Sequence, residues 1–239
     1  MTPKVAMVLA AGLGTRMQPL TNDRPKALVT VAGKALIDHV LDRLVEADVQ
    51  RAVVNVHAFA DLLEAHVKKR RDIEIVISDE RARLMETGGG VRQARALLGD
   101  DPIFVSNIDS VWEEPMGSAM LRLARGFDSR AMGARLMLAA MDQQLGYDGA
   151  GDFVGGADGS IAFRDERPSA PWAYMGVQVI DLAIIDAEPL EPFSFTRVWR
   201  RLAGEGRLYG APLGGFWMHV GDPRARAEAE SRLSLPAAS

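Results

Sequence analysis

The sequence contains no cysteine, which excludes disulfides and thiolate metal sites and is compatible with a reducing compartment. It also lacks long hydrophobic runs. The apolar stretch that begins at Val5 ends in a glycine turn just after Ala11, too soon for a membrane span or a signal peptide, so a cytoplasmic protein without a membrane partner is expected. Positive charge is not in excess: 28 Lys and Arg against 32 Asp and Glu leave a net charge of −4, which argues against a nucleic-acid partner held by bulk charge. Any anion must be bound locally. No internal repeat or low-complexity stretch is present, and one domain over residues 1–239 is expected. No Ser/His/Asp set or pair of carboxylates suggests nucleophilic or acid–base catalysis.

The most informative stretch opens the chain. The run from Val5 to Ala10 reads as a buried strand, and it leads into Ala11-Gly12-Leu13-Gly14-Thr15-Arg16 and then Pro25-Lys26. Glycines directly after a strand let the backbone turn tightly and bring N–H groups against an anion, while Arg16 and Lys26 add two positive charges. These are the marks of a nucleotide-phosphate cradle. It is not a dinucleotide fingerprint, because the third glycine would fall at Met17 and no acidic residue stands where a ribose hydroxyl would be held. Nor is it a Walker loop, since the only Gly-Lys pair, Gly33-Lys34, is followed by Ala35.

Further along, strand and helix alternate. Apolar spacing from Leu36 predicts a helix ending near Asp48, Arg51 to His57 a strand, Phe59 to Arg70 a helix and Ile73 to Ser78 a strand. This alternation predicts an α/β protein with a mostly parallel central sheet and helices on both faces. Glu86-Thr87-Gly88-Gly89-Gly90 reads as a flexible loop before a helix over Val91 to Leu98, its glycines allowing close approach of a ligand. A strand from Pro102 to Ser106 ends in Asn107-Ile108-Asp109, placing Asp109 where ligands gather, outside the carboxyl ends of the strands. Met116 to Phe127 reads as a helix and Arg130 to Met141 as a buried strand. The glycine- and aspartate-rich segment 146–159, with Ile161 to Phe163 and Tyr174 to Asp181, predicts a small β-hairpin insertion. Ser194 caps a helix to Ala203, Gly215 to Gly221 forms the last strand, and Pro223 to Leu233 a closing helix.

The opening motif, strand then Ala-Ala-Gly-x-Gly-Thr-Arg then Pro-Lys, resembles that of the sugar-1-phosphate nucleotidyltransferases, and the resemblance covers nearly the whole chain. It implies a Rossmann-like fold with a nucleotide-binding half over 1–110, a sugar-phosphate half over 130–221 and a C-terminal helix over 222–239. By resemblance, Ala10, Ala11, Gly12, Gly14, Thr15, Arg16, Lys26, Glu86, Thr87 and Gly88 bind the nucleoside triphosphate. Asn107, Gly151, Asp152, Glu166, Arg167 and Gly176 bind the sugar 1-phosphate. Arg16, Lys26 and Asp109 are the expected catalytic residues. The Glu-Thr-Gly-Gly-Gly loop and the Gly151-Asp152-Phe153 turn look most like those of uridylyltransferases of muramic acid recycling, which implies UTP and N-acetylmuramate 1-phosphate as substrates. Guanylyl transfer to mannose 1-phosphate is the alternative reaction, and a non-catalytic nucleotide-sugar-binding regulator the alternative of another class. A monomer or small homo-oligomer is expected.

Two positions depart from the family pattern: Ile108 stands where members usually have glycine, and His219 where an aspartate two residues after Trp217 completes the metal site. Mg²⁺ prefers oxygen ligands, so three readings are open at His219. It ligates a softer ion such as Mn²⁺ or Co²⁺; it bonds a phosphate while Asp109 and triphosphate oxygens hold Mg²⁺; or the protein binds nucleotide without turnover. The second is favoured, because Mg²⁺ at phosphate sites is often held by one or two carboxylates plus substrate oxygens. Asp152 and Asp222 are further carboxylates that could compensate. His39, His57 and His66 are expected to be structural. A sugar 1-phosphate is mostly dianionic, its second pKa being about 6, so the nucleophile needs alignment and positive charge rather than a base.

Overall fold

Side-chain alternation along the first strand sets the two faces of the main sheet. β1 (Val5–Leu9) sends Ala6 and Val8 into one hydrophobic cluster and Met7 into the other, as expected for a period of two. The computed structural model describes residues 2–156 and 158–234. After β1 come a small ribbon, β2 (Thr30–Val31) with β3 (Lys34–Ala35), and helix α1 (Leu36–Glu46), whose Leu36, Ile37, Val40, Leu41 and Leu44 form its buried stripe. The alternation continues with β4 (Arg51–Val56), α2 (Ala60–Val67), β5 (Glu74–Asp79), α3 (Glu86–Ala94) and β6 (Ile103–Asn107).

These strands pair in parallel in the order β5-β4-β1-β6, with Val5 opposite Arg51 and Leu9 opposite Asn107. The order reverses beside β1: the chain runs outward through β4 and β5, then returns to place β6 on the other side. At such a switch point the loops leaving the two neighbouring strands diverge and open a cleft at their carboxyl ends.

Beyond β6 the sheet changes character. The chain forms β7 (Ser110–Glu113), α4 (Ala119–Arg125), β8 (Ala134–Ala140), β9 (Gln144–Leu145), β10 (Phe153–Gly155), β11 (Ile161–Phe163) and β12 (Trp172–Ile180). α5 (Ala183–Asp186), α6 (Phe195–Gly204), β13 (Leu208–Pro212), β14 (Phe216–His219) and α7 (Pro223–Leu233) complete it. β12 runs antiparallel to β6, β8 and β10, and β13 adds in parallel to β8. Hence the parallel core carries an antiparallel extension, as the hairpin insertion predicted. A separate three-stranded sheet, β7-β14-β9, sets His219 opposite Ser110.

Two expectations are corrected, and two strands are added. The Gly88-Gly89-Gly90 run is not a loop: it lies inside α3, and all three residues are buried. A Cβ on Gly88 would come 2.2 Å from Cε2 of Phe193, and one on Gly89 2.4 Å from the Glu191 carbonyl, so these glycines admit a neighbouring segment rather than a ligand. β7 and β13 are strands that pattern did not indicate. The closing helix spans Pro223–Leu233, capped by the Asp222 carboxylate, which accepts the Ala225 N–H at 2.8 Å. Asp222 is therefore used as a cap and not as a spare ligand. Residues 235–239 of the expected 222–239 helix lie outside the described residues.

Candidate active site

The loop leaving β1 and the turn leaving β6 face each other across a cavity of about 410 Å³. Its walls are Leu9 to Gly12 with Gly14 to Arg16, Lys26 with Asn55, Leu84 with Glu86 and Thr87, Asn107 to Asp109, and Ser194 with Gly221. Gly14 is required by its backbone, at φ +65, and by space, since a Cβ there would lie 2.9 Å from the Lys26 Cβ. The glycine thus lets the Lys26 turn pack against the loop.

The N–H groups of this loop divide into two sets. Those of Ala10 and Ala11 are occupied by the Asn55 side-chain oxygen, at 2.6 and 3.1 Å, so these two residues line the cavity without offering it free N–H donors. From Gly12 to Arg16 the N–H groups have no protein acceptor among the described residues. Arg16 is exposed at the mouth of the cavity and makes no ion pair with any described residue.

Lys26 is buried, and its Nζ donates to Oδ2 of Asp109 at 2.8 Å. The same oxygen is 3.5 Å from Nε2 of His219. The β7–β14 register makes this meeting possible, and the Val220 N–H fastens it by donating to the Asp109 carbonyl at 2.8 Å. Burial pushes the Asp109 carboxyl up, but the Lys26 charge and the His219 hydrogen bond outweigh it and hold the group below the ordinary carboxylate range. Nδ1 of His219 lies 3.1 Å from the Gly146 carbonyl, which orients the ring and turns Nε2 toward Asp109. Oδ1 of Asp109 has no hydrogen-bond partner among the described residues.

Glu86 and Thr87 line the cavity, but Gly88 does not. The N–H groups of Gly88 and Gly89 donate to the Phe193 carbonyl at 2.9 and 3.1 Å, and Thr87 Oγ1 accepts the Phe195 N–H at 2.9 Å. The helix start is thereby fastened to the loop ahead of α6.

A second cavity, about 300 Å³, takes in Gly151 and Asp152 together with Phe163, Arg164, Tyr174, Trp199 and Arg200. Asp152 accepts the Tyr147 hydroxyl at 2.7 Å and the Tyr174 N–H at 2.9 Å, so it fixes the turn and is not free to complete the Asp109 site. Burial and the Asp109 charge push the Tyr174 phenol up, which keeps it neutral. Glu166 and Arg167 are not brought to either cavity. Both are exposed, and the Arg167 guanidinium reaches back to the Phe163 carbonyl at 3.4 Å. The cations at this cavity are instead Arg164, whose Nε donates to the Gly151 carbonyl at 3.0 Å, and Arg200, stacked 4.4 Å above the Phe163 ring. Gly176, at φ +87, clears Ser110 and Asn107, since a Cβ there would meet the Ser110 hydroxyl at 2.8 Å. Asn55, Leu84, Ser194, Arg164 and Arg200 were not indicated by sequence. Only Asn55 carried a signal, as a lone polar residue in the apolar run Val53-Val54-Asn55-Val56. His39, His57 and His66 bond Val31, Glu80 and Asp38 and are structural, as expected.

A loop of unengaged N–H groups at the switch point of a Rossmann-like sheet, with a largely buried Lys–Asp pair beside it, defines an anion-binding cleft of a nucleotide-handling α/β protein. The chain belongs to the nucleotidyl transferase family, whose model matches residues 5–234. It is 55% identical over 97% of its length to the N-acetylmuramate alpha-1-phosphate uridylyltransferase of Caulobacter vibrioides, covering 98% of that protein. It is 31% identical over 92% of its length to a mannose-1-phosphate guanylyltransferase catalytic subunit beta of Xenopus tropicalis, of which it spans 61%. Among solved structures, the inositol-1-phosphate CTP transferase of T. maritima superposes with a TM-score of 0.81 at 18% identity, covering 100% of this chain and 99% of that one. UDP-glucose pyrophosphorylase of Acinetobacter baumannii gives 0.78 at 19% identity, covering 98% and 94%. These two likenesses establish the fold. No helix among the described residues is long and apolar enough to cross a membrane.

Proposed function

We propose that this protein transfers a uridylyl group from UTP to N-acetylmuramate 1-phosphate, forming the UDP-sugar and pyrophosphate. An oxygen of the sugar phosphate attacks the α-phosphorus, and the bond from that phosphorus to the pyrophosphate oxygen breaks in line. The carrying observation is the row of unengaged N–H groups from Gly12 to Arg16, flanked by Arg16 and Lys26 and closed by Asp109. The N–H row and Arg16 bind the triphosphate and offset charge that develops on the leaving pyrophosphate. Lys26 orients Asp109 and adds charge beside the reacting phosphorus. Glu86 and Thr87, which line the same cavity, are assigned to the base.

The residues fit a divalent cation as a partial set. Asp109 Oδ1 and His219 Nε2 would hold it, and the imidazole is oriented by its bond to the Gly146 carbonyl, the usual arrangement for a ligating histidine. The described residues contain no group of three or more acidic or histidine ligands, so most of the coordination shell must come from phosphate oxygens and water, which suits Mg²⁺. Such an ion supplies Lewis-acid neutralisation of the triphosphate.

In the second cavity the aromatic walls suit a sugar ring, and the exposed Arg200, now paired with Asp165 at 3.3 Å, would exchange that partner for the lactyl carboxylate that distinguishes N-acetylmuramate from N-acetylglucosamine. Support for the donor and acceptor comes from the 55% identity with the Caulobacter enzyme. The test is pyrophosphate release from UTP and GTP against N-acetylmuramate, N-acetylglucosamine, glucose and mannose 1-phosphates. Release confined to UTP with N-acetylmuramate 1-phosphate is expected. Turnover of GTP with mannose 1-phosphate instead would overturn the assignment.

A further inference from the structure

Behind the nucleotide cavity, a short polar chain joins the phosphate loop to the segment that faces the base. Asn55, on β4 and 2% exposed, accepts the Ala10 and Ala11 N–H groups at Oδ1 and donates from Nδ2 to Oε1 of Glu80 at 2.8 Å. Glu80, 1% exposed just after β5, accepts the Met85 N–H at Oε2, 3.0 Å away. Met85 directly precedes Glu86 and Thr87 at the start of α3. Gly90 in α3 leaves room for the chain, since a Cβ there would lie 2.9 Å from Glu80 Oε1 and 3.0 Å from Asn55 Nδ2. Glu80 has no cationic side chain within ion-pair distance among the described residues, although His57 bonds its main-chain carbonyl at 2.7 Å. An unpaired buried carboxylate is costly and needs a reason to be there.

Hydrogen-bond parity supplies the reason. Both ends of the chain are main-chain N–H donors, at Ala10 and Ala11 on one side and at Met85 on the other. The Asn55 amide accepts at one end and donates at the other. Residue 80 must therefore accept at both ends, which an ionised carboxylate does and an amide does not. Turning Asn55 over would only move the donor–donor conflict to Ala10 and Ala11.

We propose that Glu80, acting through Asn55, is a positioning residue for nucleotide binding: it sets the spacing between the phosphate loop and the Met85–Thr87 segment, so that triphosphate and base are engaged together. This rests on reading the first cavity as the nucleotide site. Because Ala10 and Ala11 are held from behind, the donors free for phosphate begin at Gly12.

Parity makes the inference testable by charge relocation. Glu80→Gln places a donor against a donor, and Asn55→Asp places a carboxylate against a carboxylate. The double variant Asn55→Asp/Glu80→Gln restores every pairing, with the carboxylate one residue closer to the loop. UTP affinity by calorimetry, KM for UTP, KM for the sugar 1-phosphate, kcat and melting temperature are measured for all four proteins. Each single variant is expected to weaken UTP binding about tenfold or more, the scale of one unmade buried hydrogen bond, with the acceptor KM little changed. The double variant should return to within a few-fold of the original protein. If the singles do not fold, a double variant that folds and binds UTP supports the inference equally. A double variant no better than the sum of the singles, a Glu80→Gln protein with unaltered UTP affinity, or equal loss of UTP and acceptor would overturn it. If the unmodified protein binds no nucleoside triphosphate, it is the reading of the cavity that fails.

Discussion

Replacing Lys26 by methionine separates the part of the Lys26–Asp109 pair that stabilises the fold from the part that serves the reaction. The Lys26 side chain is 11% exposed and that of Asp109 21%, with 2.8 Å between their charged atoms. Methionine keeps most of the apolar stem and removes the charge. Breaking a fully buried pair costs about 3–5 kcal/mol because the remaining charge is stranded. Here Asp109 retains some contact with solvent and keeps His219 at 3.5 Å, so a loss of about 2–3 kcal/mol is expected. At this chain length each kcal/mol lowers the melting temperature by about 2–4 °C, giving a fall of roughly 4–12 °C. Turnover should fall by about 10²–10³, the usual scale for one preorganised charge. The double variant Lys26→Met/Asp109→Asn leaves no stranded charge and should recover most of the stability while remaining inactive. Thermal unfolding and pyrophosphate release on the three proteins decide the matter. A folded Lys26→Met enzyme with near-normal turnover would refute the role of the charge, and an unchanged melting temperature would refute the pairing.

The same pair gives a pH dependence. Asp109 titrates below the ordinary 3.8 in the folded protein, so its contribution to stability is fully present above that value and is lost as pH falls through the folded pKa. Melting temperature against pH in the acid range should fall less steeply for Lys26→Met/Asp109→Asn than for the original protein; parallel curves would contradict this. Gly89→Ala, whose Cβ would lie 2.4 Å from a main-chain oxygen, should destabilise by about 1–3 kcal/mol or more in denaturant unfolding, whereas Gly12→Ala meets no atom within 4 Å and should stay within about 0.5 kcal/mol. His219→Asp replaces an imidazole nitrogen by a carboxylate oxygen, so the ratio of activity in Mg²⁺ to that in Mn²⁺ should rise. An unchanged ratio would remove His219 from the metal's surroundings.

Much of the nucleotide half was legible because its signals are local. β1, its glycine loop and the Pro25-Lys26 turn lie within one short stretch, and the helices and strands that follow carry strong periodicities. α3 was not legible for a related reason. A glycine costs about 1 kcal/mol in a helix relative to alanine, so three in a row read as a loop. What outweighs that cost is the segment Glu191–Phe193, about a hundred residues away, which needs the space that side chains would fill. β13 escaped notice in the same way: Gly210 and Pro212 look like turn residues, yet a Cβ on Gly210 would strike Leu138 at 2.4 Å, and the parallel register with β8 takes in both.

The two halves of the site differ in what delivers their chemistry. In the proposed nucleotide half, the unengaged main-chain N–H groups from Gly12 to Arg16 belong to one loop, so recognising the loop locates them. The cations and rings of the acceptor half come from β10, β11, β12 and α6, and which side chains meet depends on antiparallel register. Arg164 and Arg167 illustrate the sensitivity. Both follow β11 within four residues, but the Arg164 guanidinium turns in to the Gly151 carbonyl, whereas beyond Asp165, at φ +47, the chain carries Glu166 and Arg167 outward. A motif match cannot register such a turn. On the proposed function, substrate selection is therefore to be sought at Arg200, a position that no local pattern marks.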